Sequence, residues 1–541
     1  MKRFPQLLFL GLILSLLTAA CAAEDYWLPP SAPPKSPPAL ALVLATGVPD
    51  LLSQSTPDPV NNLDETAEPS SQPAENPPAP DQDSEPTSAD SAQTPTTEVA
   101  LVDTAPFLYY AQAADTLPVV ATRYGVDSSE ITSQDPIPES AYLNPGQLLV
   151  IPRRLTETTS PQHTMPDSEV VFSPSATDFD VEAFVTQAGG KLSAYTEWLK
   201  SSGISTGAEI VTRVATENSI NPRLLLSMLE YQSSWVYGEP QDEEAIEYPM
   251  GYVERYEDGL YSQLVWAVNQ LSTGYYAYRE GRMTDIGYPD GTSIRLAPDL
   301  NAGSAALQYY YAQHYGGAEW VEAIDPNIGL PALYTRMFGD PWERAEMVEP
   351  LFPRGLVQPP LTLPIPRGET WAYTGGPHGA WEHDGAFAAL DFAPGSTEPG
   401  CVKSNSWAIA SASGLVVRSE HGVVALDLDG DGREQTGWVL IYLHLEEDGR
   451  VPAGSWVDAG DNLGHPSCEG GISTGTHLHI ARKFNGEWIP ADGPLPFNLG
   501  GWVAHAGPEP YKGTLTRDGE TITACTCANA ASFVTRTEDD P

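Results

Sequence analysis

The sequence is poor in positive charge. Its 541 residues carry 27 lysines and arginines against 72 aspartates and glutamates, a formal net charge of −45. That balance excludes electrostatic capture of nucleic acid or of an anionic membrane face, both of which need clustered basic residues. Cysteine is scarce: five in the whole chain, too few for a scaffold built on disulfides. Beyond the first 20 residues there is no apolar run approaching the about 20 residues that a spanning helix requires. What the chain does have is 51 prolines, 47 glycines and 41% hydrophobic residues. The length predicts several domains, roughly three or four, and the apolar content is enough to give them cores.

Lys2 and Arg3 precede an apolar run over 7–17, followed by Thr18-Ala19-Ala20-Cys21. A charged start, a short apolar core and small residues read as a secretory signal over 1–21. The small residues before Cys21 resemble a bacterial lipobox, which implies lipidation of Cys21 and a lipid anchor in a membrane. Ordinary cleavage near Ala22 or Ala23 is the alternative, and either one predicts an extracytoplasmic chain, as a membrane lipoprotein or a secreted protein. Residues 22–106 are rich in Pro, Ser, Thr, Ala and acidic residues, with Lys35 as their one basic residue. Such a stretch cannot bury enough apolar surface to offset its ordering entropy, so it is expected to be a disordered acidic tether.

Residues 107–154 read as a small βααβ unit. Tyr109-Tyr110-Ala111 suits a strand, and Asp115-Thr116-Leu117 opens a helix with apolar spacing at Val119, Val120 and Tyr124. A second short helix follows Asp127-Ser128-Ser129, Asn144-Pro145-Gly146-Gln147 is a turn, and Leu148-Leu149-Val150-Ile151 is a strand. The pieces Asp115-Thr116-Leu117, Ala121-Thr122-Arg123-Tyr124-Gly125-Val126 and Pro145-Gly146-Gln147 with Ile151-Pro152 resemble a LysM module. The resemblance implies binding of N-acetylglucosamine-containing glycans, through residues the sequence does not single out. Ala114 stands where such modules usually carry glycine. A bare spacer domain is the alternative.

A polar linker is expected over 155–176, then helices over 177–350. Asn221-Pro222 caps and starts a helix through Arg223-Leu224-Leu225-Leu226. That phrase, with Gln232-Ser233-Ser234-Trp235, resembles the catalytic entry of lysozyme-like glycosidases. Those enzymes place a general-acid Glu where this chain has Gln232, which cannot donate a proton as a carboxylic acid does. Glu230 lies two residues earlier and points about 160° away on a helix. The expectation is a helical lysozyme-like domain without hydrolase activity. A bifunctional enzyme, with glycan cleavage in this domain, is the alternative.

Eight of the ten histidines follow residue 370, in a region of alternating apolar runs and Gly, Pro and Asp turns. In Gly475-Thr476-His477-Leu478-His479-Ile480, a strand would project His477 and His479 to one face and bury Leu478 and Ile480 on the other. A hydrolytic zinc site needs three protein ligands and an open position. Asp391 is a lone carboxylate in the apolar Ala389-Leu390-Asp391-Phe392 and so demands a partner. His378 sits in the glycine-rich Gly375-Gly376-Pro377-His378-Gly379, read as a loop, and His444 ends Ile441-Tyr442-Leu443 on another strand. The reading is Zn²⁺ held by His378, Asp391 and His479, with His444 and His477 as catalysts beside it.

The spacing of His378 and Asp391, and Cys468-Glu469-Gly470-Gly471 before His-x-His, resemble the beta-lytic and staphylolytic branch of the lysostaphin-type zinc metallopeptidases. The resemblance covers roughly 360–515. It implies an antiparallel β-rich domain that cuts peptide bonds in peptidoglycan stem peptides or cross-bridges, with peptidoglycan as the partner. His383 is the rival first ligand. Asp427, Asp429 and Asp431 resemble the start of a calcium loop, but Trp438 stands where an EF-hand needs a bidentate Glu. Cys401 and Cys468 are disulfide candidates. Cys525 and Cys527 would close a strained ring on each other, which leaves their pairing open between that ring and a partner elsewhere. Residues 516–541 read as a tail. The whole is then a multidomain α+β cell-wall hydrolase, with no nucleic-acid or protein partner expected. A non-catalytic wall-binding scaffold is the alternative from another functional class.

Overall fold

The computed structural model describes residues 105–540, apart from 382, 397 and 528. The signal, Cys21 and most of the tether expected over 22–106 lie outside the described residues. Among those described, no helix is long and apolar enough to cross a membrane.

The first unit pairs two antiparallel strands, Phe107–Tyr110 and Leu148–Ile151, around the helix Leu117–Tyr124. Thr116 caps that helix by accepting from the Val119 amide, and Gly125 closes it in the left-handed conformation. The second helix is a single 3₁₀ turn, Ser128–Glu130, with a capping box from Asp127 and Glu130. Ala114 has φ 60°, a left-handed conformation that costs a residue with a Cβ roughly 1–2 kcal/mol. The buried Asp115 carboxylate anchors that turn: it pairs with Arg123 and accepts from Tyr109 Oη (2.6 Å) and the Gln112 amide (2.7 Å).

The expected linker over 155–176 is instead packed structure. Met165, Val170 and Val171 are fully buried in the helical core. Asp167 accepts from the Gly303 amide and from Asn301 Nδ2, both at 2.8 Å. The polar composition that suggested a linker serves to tie this segment to the helices behind it.

The helix predicted from Asn221-Pro222 forms, in a region that is mostly helical with two short hairpins. Asn221 caps Pro222–Ser233, and Pro222 sits in its first turn. The long helix Leu260–Arg279 packs on Ala302–Ala312. Gly274 allows this approach, because a Cβ there would meet Tyr309 and Ala306 within about 3 Å.

From residue 361 onward the chain is β-rich, with its own core of Leu361, Ile365, Trp371, Phe392, Leu440, Leu478 and Ile480. A nine-stranded sheet runs Trp456–Val457, Gly414–Glu420, Val423–Asp427, Trp438–Leu443, Leu478–Phe484, Ala389–Ala393, Thr370–His378, Phe533–Thr535, with Glu487–Trp488 hairpinned on Leu478–Phe484. Every pairing in it is antiparallel. Residues 516–541 are not a tail. Gly513–Arg517 and Glu520–Thr523 form a hairpin, and Phe533–Thr535 is the sheet's edge strand, with Val534 fully buried. The alternation of Val534 between Phe533 and Thr535 is the sequence signal for this strand, too short to separate from a loop.

The units pack as one body. Arg279, buried at the end of the long helix, donates to Ala113 O (2.8 Å), pairs with Asp167 and forms two 2.7 Å bonds with Glu487. Arg123 of the first unit stacks over Tyr278, 5.0 Å from its ring centre.

Candidate metal centre

Three adjacent strands set the site. In the sheet register His479 lies opposite Asp391 on one side and Leu443 on the other, and Asp391 lies opposite Gly375. Leu478 and Ile480 point to the core and are fully buried, as the alternation predicts. His378 is not on a loop: it is the last residue of the strand Thr370–His378, which shifts register twice after Tyr373. Those bulges turn His378 toward its neighbours, as bulges beside active sites commonly re-aim a side chain. A Cβ at Gly375 would overlap the Asp391 carboxylate, and one at Gly376 would overlap the Lys512 backbone. The glycines that suggested a loop are there for close approach. His444 follows its strand directly with φ 65°, a left-handed turn that takes its ring out of the strand path.

His378 Nε2 and His479 Nδ1 lie 3.1 Å apart, and each is 3.3 Å from Asp391 Oδ1. His477 Nε2 is 3.6 Å from the same oxygen, and the His444 and His477 rings are 4.5 Å apart. His383 is exposed and outside this cluster. Tyr511 stacks on His378 with ring centres 4.1 Å apart, a neighbour the sequence does not reveal, because it lies in the connection of a separate hairpin, between Trp502–Ala506 and Gly513–Arg517.

All four imidazoles are oriented by the backbone. His378 Nδ1 donates to Gly376 O (2.7 Å), His479 Nε2 to Ala380 O (3.0 Å), His444 Nδ1 to Glu469 O (2.8 Å) and His477 Nδ1 to Gly475 O (2.7 Å). A carbonyl only accepts, so the facing ring nitrogen carries the proton and the opposite nitrogen of a neutral ring is a bare lone pair. The lone pairs of His378 and His479 therefore face each other and a carboxylate oxygen, buried at 2%, 5% and 5% exposure. Asp391 Oδ1 itself has no properly angled donor. Such a cluster is repulsive unless a cation sits in it, and two imidazoles with one carboxylate are a donor set that suits Zn²⁺ with an open position. His378, Asp391 and His479 each offer one atom within reach of a common ion.

The electrostatics agree. Burial disfavours charge on His378, but the Asp391 carboxylate outweighs it and raises the His378 pKa. Burial likewise works against the Asp391 anion, yet His378 and His477 hold its carboxyl well below the usual range. Burial, then His477 and His479, push His444 down to about 3, and burial lowers His479. His444 is thus a neutral acceptor at ordinary pH.

Cys401 and Cys468 form a disulfide that joins the segment before the Ala408–Ile409 strand to the loop leading to His477. Cys525 and Cys527, whose pairing the sequence left open, pair with each other. Asp427, Asp429 and Asp431 lie close together, but the buried Asp427 already accepts from the amides of Asp429, Gly430 and Gly432. In the helical domain Gln232 Oε1 accepts from Tyr315 Oη (3.0 Å), and Glu230 accepts from the Val236 and Tyr237 amides (2.9 and 3.0 Å), capping the turn that follows its helix.

Residues 163–351 match the family model described as LasA, N-terminal domain. Protease LasA of Pseudomonas aeruginosa (strain UCBPP-PA14) is 26% identical over 363 residues, covering 62% of this chain and 78% of the relative. The beta-lytic metalloendopeptidase of Achromobacter lyticus is 30% identical over 149 residues, 26% of this chain and 36% of the relative. Among solved structures, the M23 metalloprotease pseudoalterin is 22% identical with a TM-score of 0.26, covering 31% of this chain and 96% of that one. The site and the curated relatives together mark a zinc metalloendopeptidase, similar to protease LasA and to the beta-lytic enzymes. Its similarity to protease LasA extends upstream of the catalytic domain into the helical one.

Proposed function

We propose that the chain is an extracytoplasmic cell-wall hydrolase that cuts peptide bonds in peptidoglycan stem peptides or cross-bridges. The observation that carries this reading is the convergence of backbone-pinned lone pairs from His378 and His479 on Asp391, with His444 and His477 alongside. His378, Asp391 and His479 hold the metal. When bound, Zn²⁺ supplies Lewis-acid polarisation of a scissile carbonyl and acidifies a water. His444 and His477, each with an unprotonated nitrogen turned inward, accept a proton from the attacking water and return it to the leaving amine. Their ring orientation is fixed beforehand by Glu469 O and Gly475 O, so little reorganisation accompanies the transfer.

Residues 107–154 serve as a LysM-like glycan grip, a reading supported by their strand-helix-turn-strand order. The helical domain is not itself a hydrolase: Gln232 is no proton donor, and the Glu230 carboxylate is bound to backbone amides. A lipidated Cys21 would hold the body near a membrane.

Mass analysis of muropeptides after digestion tests this reading, with His479→Ala as control. New amine ends without new reducing ends are expected from the native chain and none from the variant. New reducing ends, or no cleavage by the zinc-loaded chain, overturn it.

A further inference from the structure

The ligands His378 and Asp391 sit on neighbouring strands, yet the segment between them, 379–388, does not stay with the sheet. Its buried residues Ala380, Ala386 and Ala388 belong to the core that the helices share with one face of the sheet (Ala389, Ile441, Ala481), not to the core on the sheet's other face. Arg282, just past the Leu260–Arg279 helix, donates to Gly385 O (3.1 Å) and lies over the Phe387 ring, 4.5 Å from its centre. Ser272, on the helix itself, is so close that a Cβ added to Gly385 would approach its Cβ to 3.1 Å. Within the segment the Ala380 amide donates to Ala386 O (2.9 Å), which ties its two ends together. Ala380 O then accepts from His479 Nε2 at 3.0 Å. That bond decides which His479 nitrogen faces the metal.

We propose that the helical domain is a positioning part of the metal centre: Arg282 and Ser272 hold 379–388 so that the Ala380 carbonyl fixes His479. Arg282 is a positioning residue and touches neither substrate nor metal. The inference rests on the ligand set given under Proposed function. It assigns the helical domain a share in metal affinity, since partners that orient a ligating histidine are commonly worth 10- to 100-fold in affinity.

The test is zinc affinity of the full chain, measured by chelator competition, with the absorption spectrum of the Co²⁺ form as a second readout. Arg282 also pairs with Glu280 at 2.6 Å, so R282A is compared in an E280Q background. A zinc Kd weakened roughly 10-fold or more, with a shifted Co²⁺ spectrum, is expected. Arg433→Ala, which breaks an exposed pair with Asp178, leaves both readouts unchanged. G385A presses on Ser272 and is expected to weaken zinc binding likewise, and S272G restores it. If E280Q/R282A does not fold, the G385A and S272G/G385A pair decides. A native chain that binds no zinc refutes the ligand set itself. A native chain that binds zinc, beside folded R282A and G385A variants of equal affinity, overturns the positioning role, as does a G385A defect that S272G leaves in place.

Discussion

Each of the four inward imidazoles spends one nitrogen on a main-chain carbonyl, so the residue types at the site matter less than the backbone that aims them. His477 and His479 were legible in the sequence because a strand's period of two fixes their common face. Asp391 was legible because a lone carboxylate in an apolar run has no other physical excuse. The place of His378 was not legible, since bulge geometry leaves no period and glycine reads equally as loop or as close approach. Gly375 gives the sharpest expectation here. Gly375→Ala puts a methyl against the Asp391 carboxylate, and the chain should still fold but hold zinc at least about 10-fold more weakly. Zinc analysis after dialysis against a graded chelator checks it. An unchanged zinc content shows that the strand gives way instead.

The strand Leu478–Phe484 carries two jobs at once, core on one face and site on the other. Leu478→Ala should cost about 2–5 kcal/mol, the usual range for emptying a buried leucine position, read as a lowered denaturant midpoint. The Cys401–Cys468 bridge closes 67 residues of separation, and loop-closure entropy puts its worth at about 4 kcal/mol. Cys401→Ser with Cys468→Ser should lower stability by that order, with the sheet's circular dichroism retained. Among the elements, long apolar-periodic helices and strands announced themselves. The 3₁₀ turn at Ser128–Glu130 was legible only through its capping residues Asp127 and Glu130, and the closing strand Phe533–Thr535 was not legible, because three residues are too few to carry a period. The packed segment over 155–176 was also misread, since composition cannot tell a polar linker from a polar segment whose side chains bond to helices behind it.

At the scale of the molecule, buried charge gathers where the units meet. Glu349 lies there, its Oε1 accepting from the Ser168 amide (2.8 Å). Burial, then the nearby Asp167 carboxylate, raise its pKa to about 7, against the pull of that amide and of Arg279. The folded chain therefore keeps a proton that the unfolded chain releases near pH 4.5. Between those values the native state binds more protons, so stability falls as pH rises from about 5 to 7 and stays reduced above. At 1.36 kcal/mol per unit the contribution is of order 3 kcal/mol. Glu349→Gln should flatten that part of the stability-pH curve in chemical denaturation, and a variant curve parallel to the native one refutes the assignment.

Arg279 reaches Ala113, Asp167 and Glu487 together, so the first unit cannot swing on its own. Flexible two-headed enzymes tune their local concentration by the length of the string between heads. Here that string has zero length, so a ligand held by the first unit would sit at one constant offset from the His378, Asp391 and His479 cluster. With the glycan grip proposed for the first unit, such a molecule would work like a calliper: its product lengths along a regular polymer would be set by geometry, not by chance encounter.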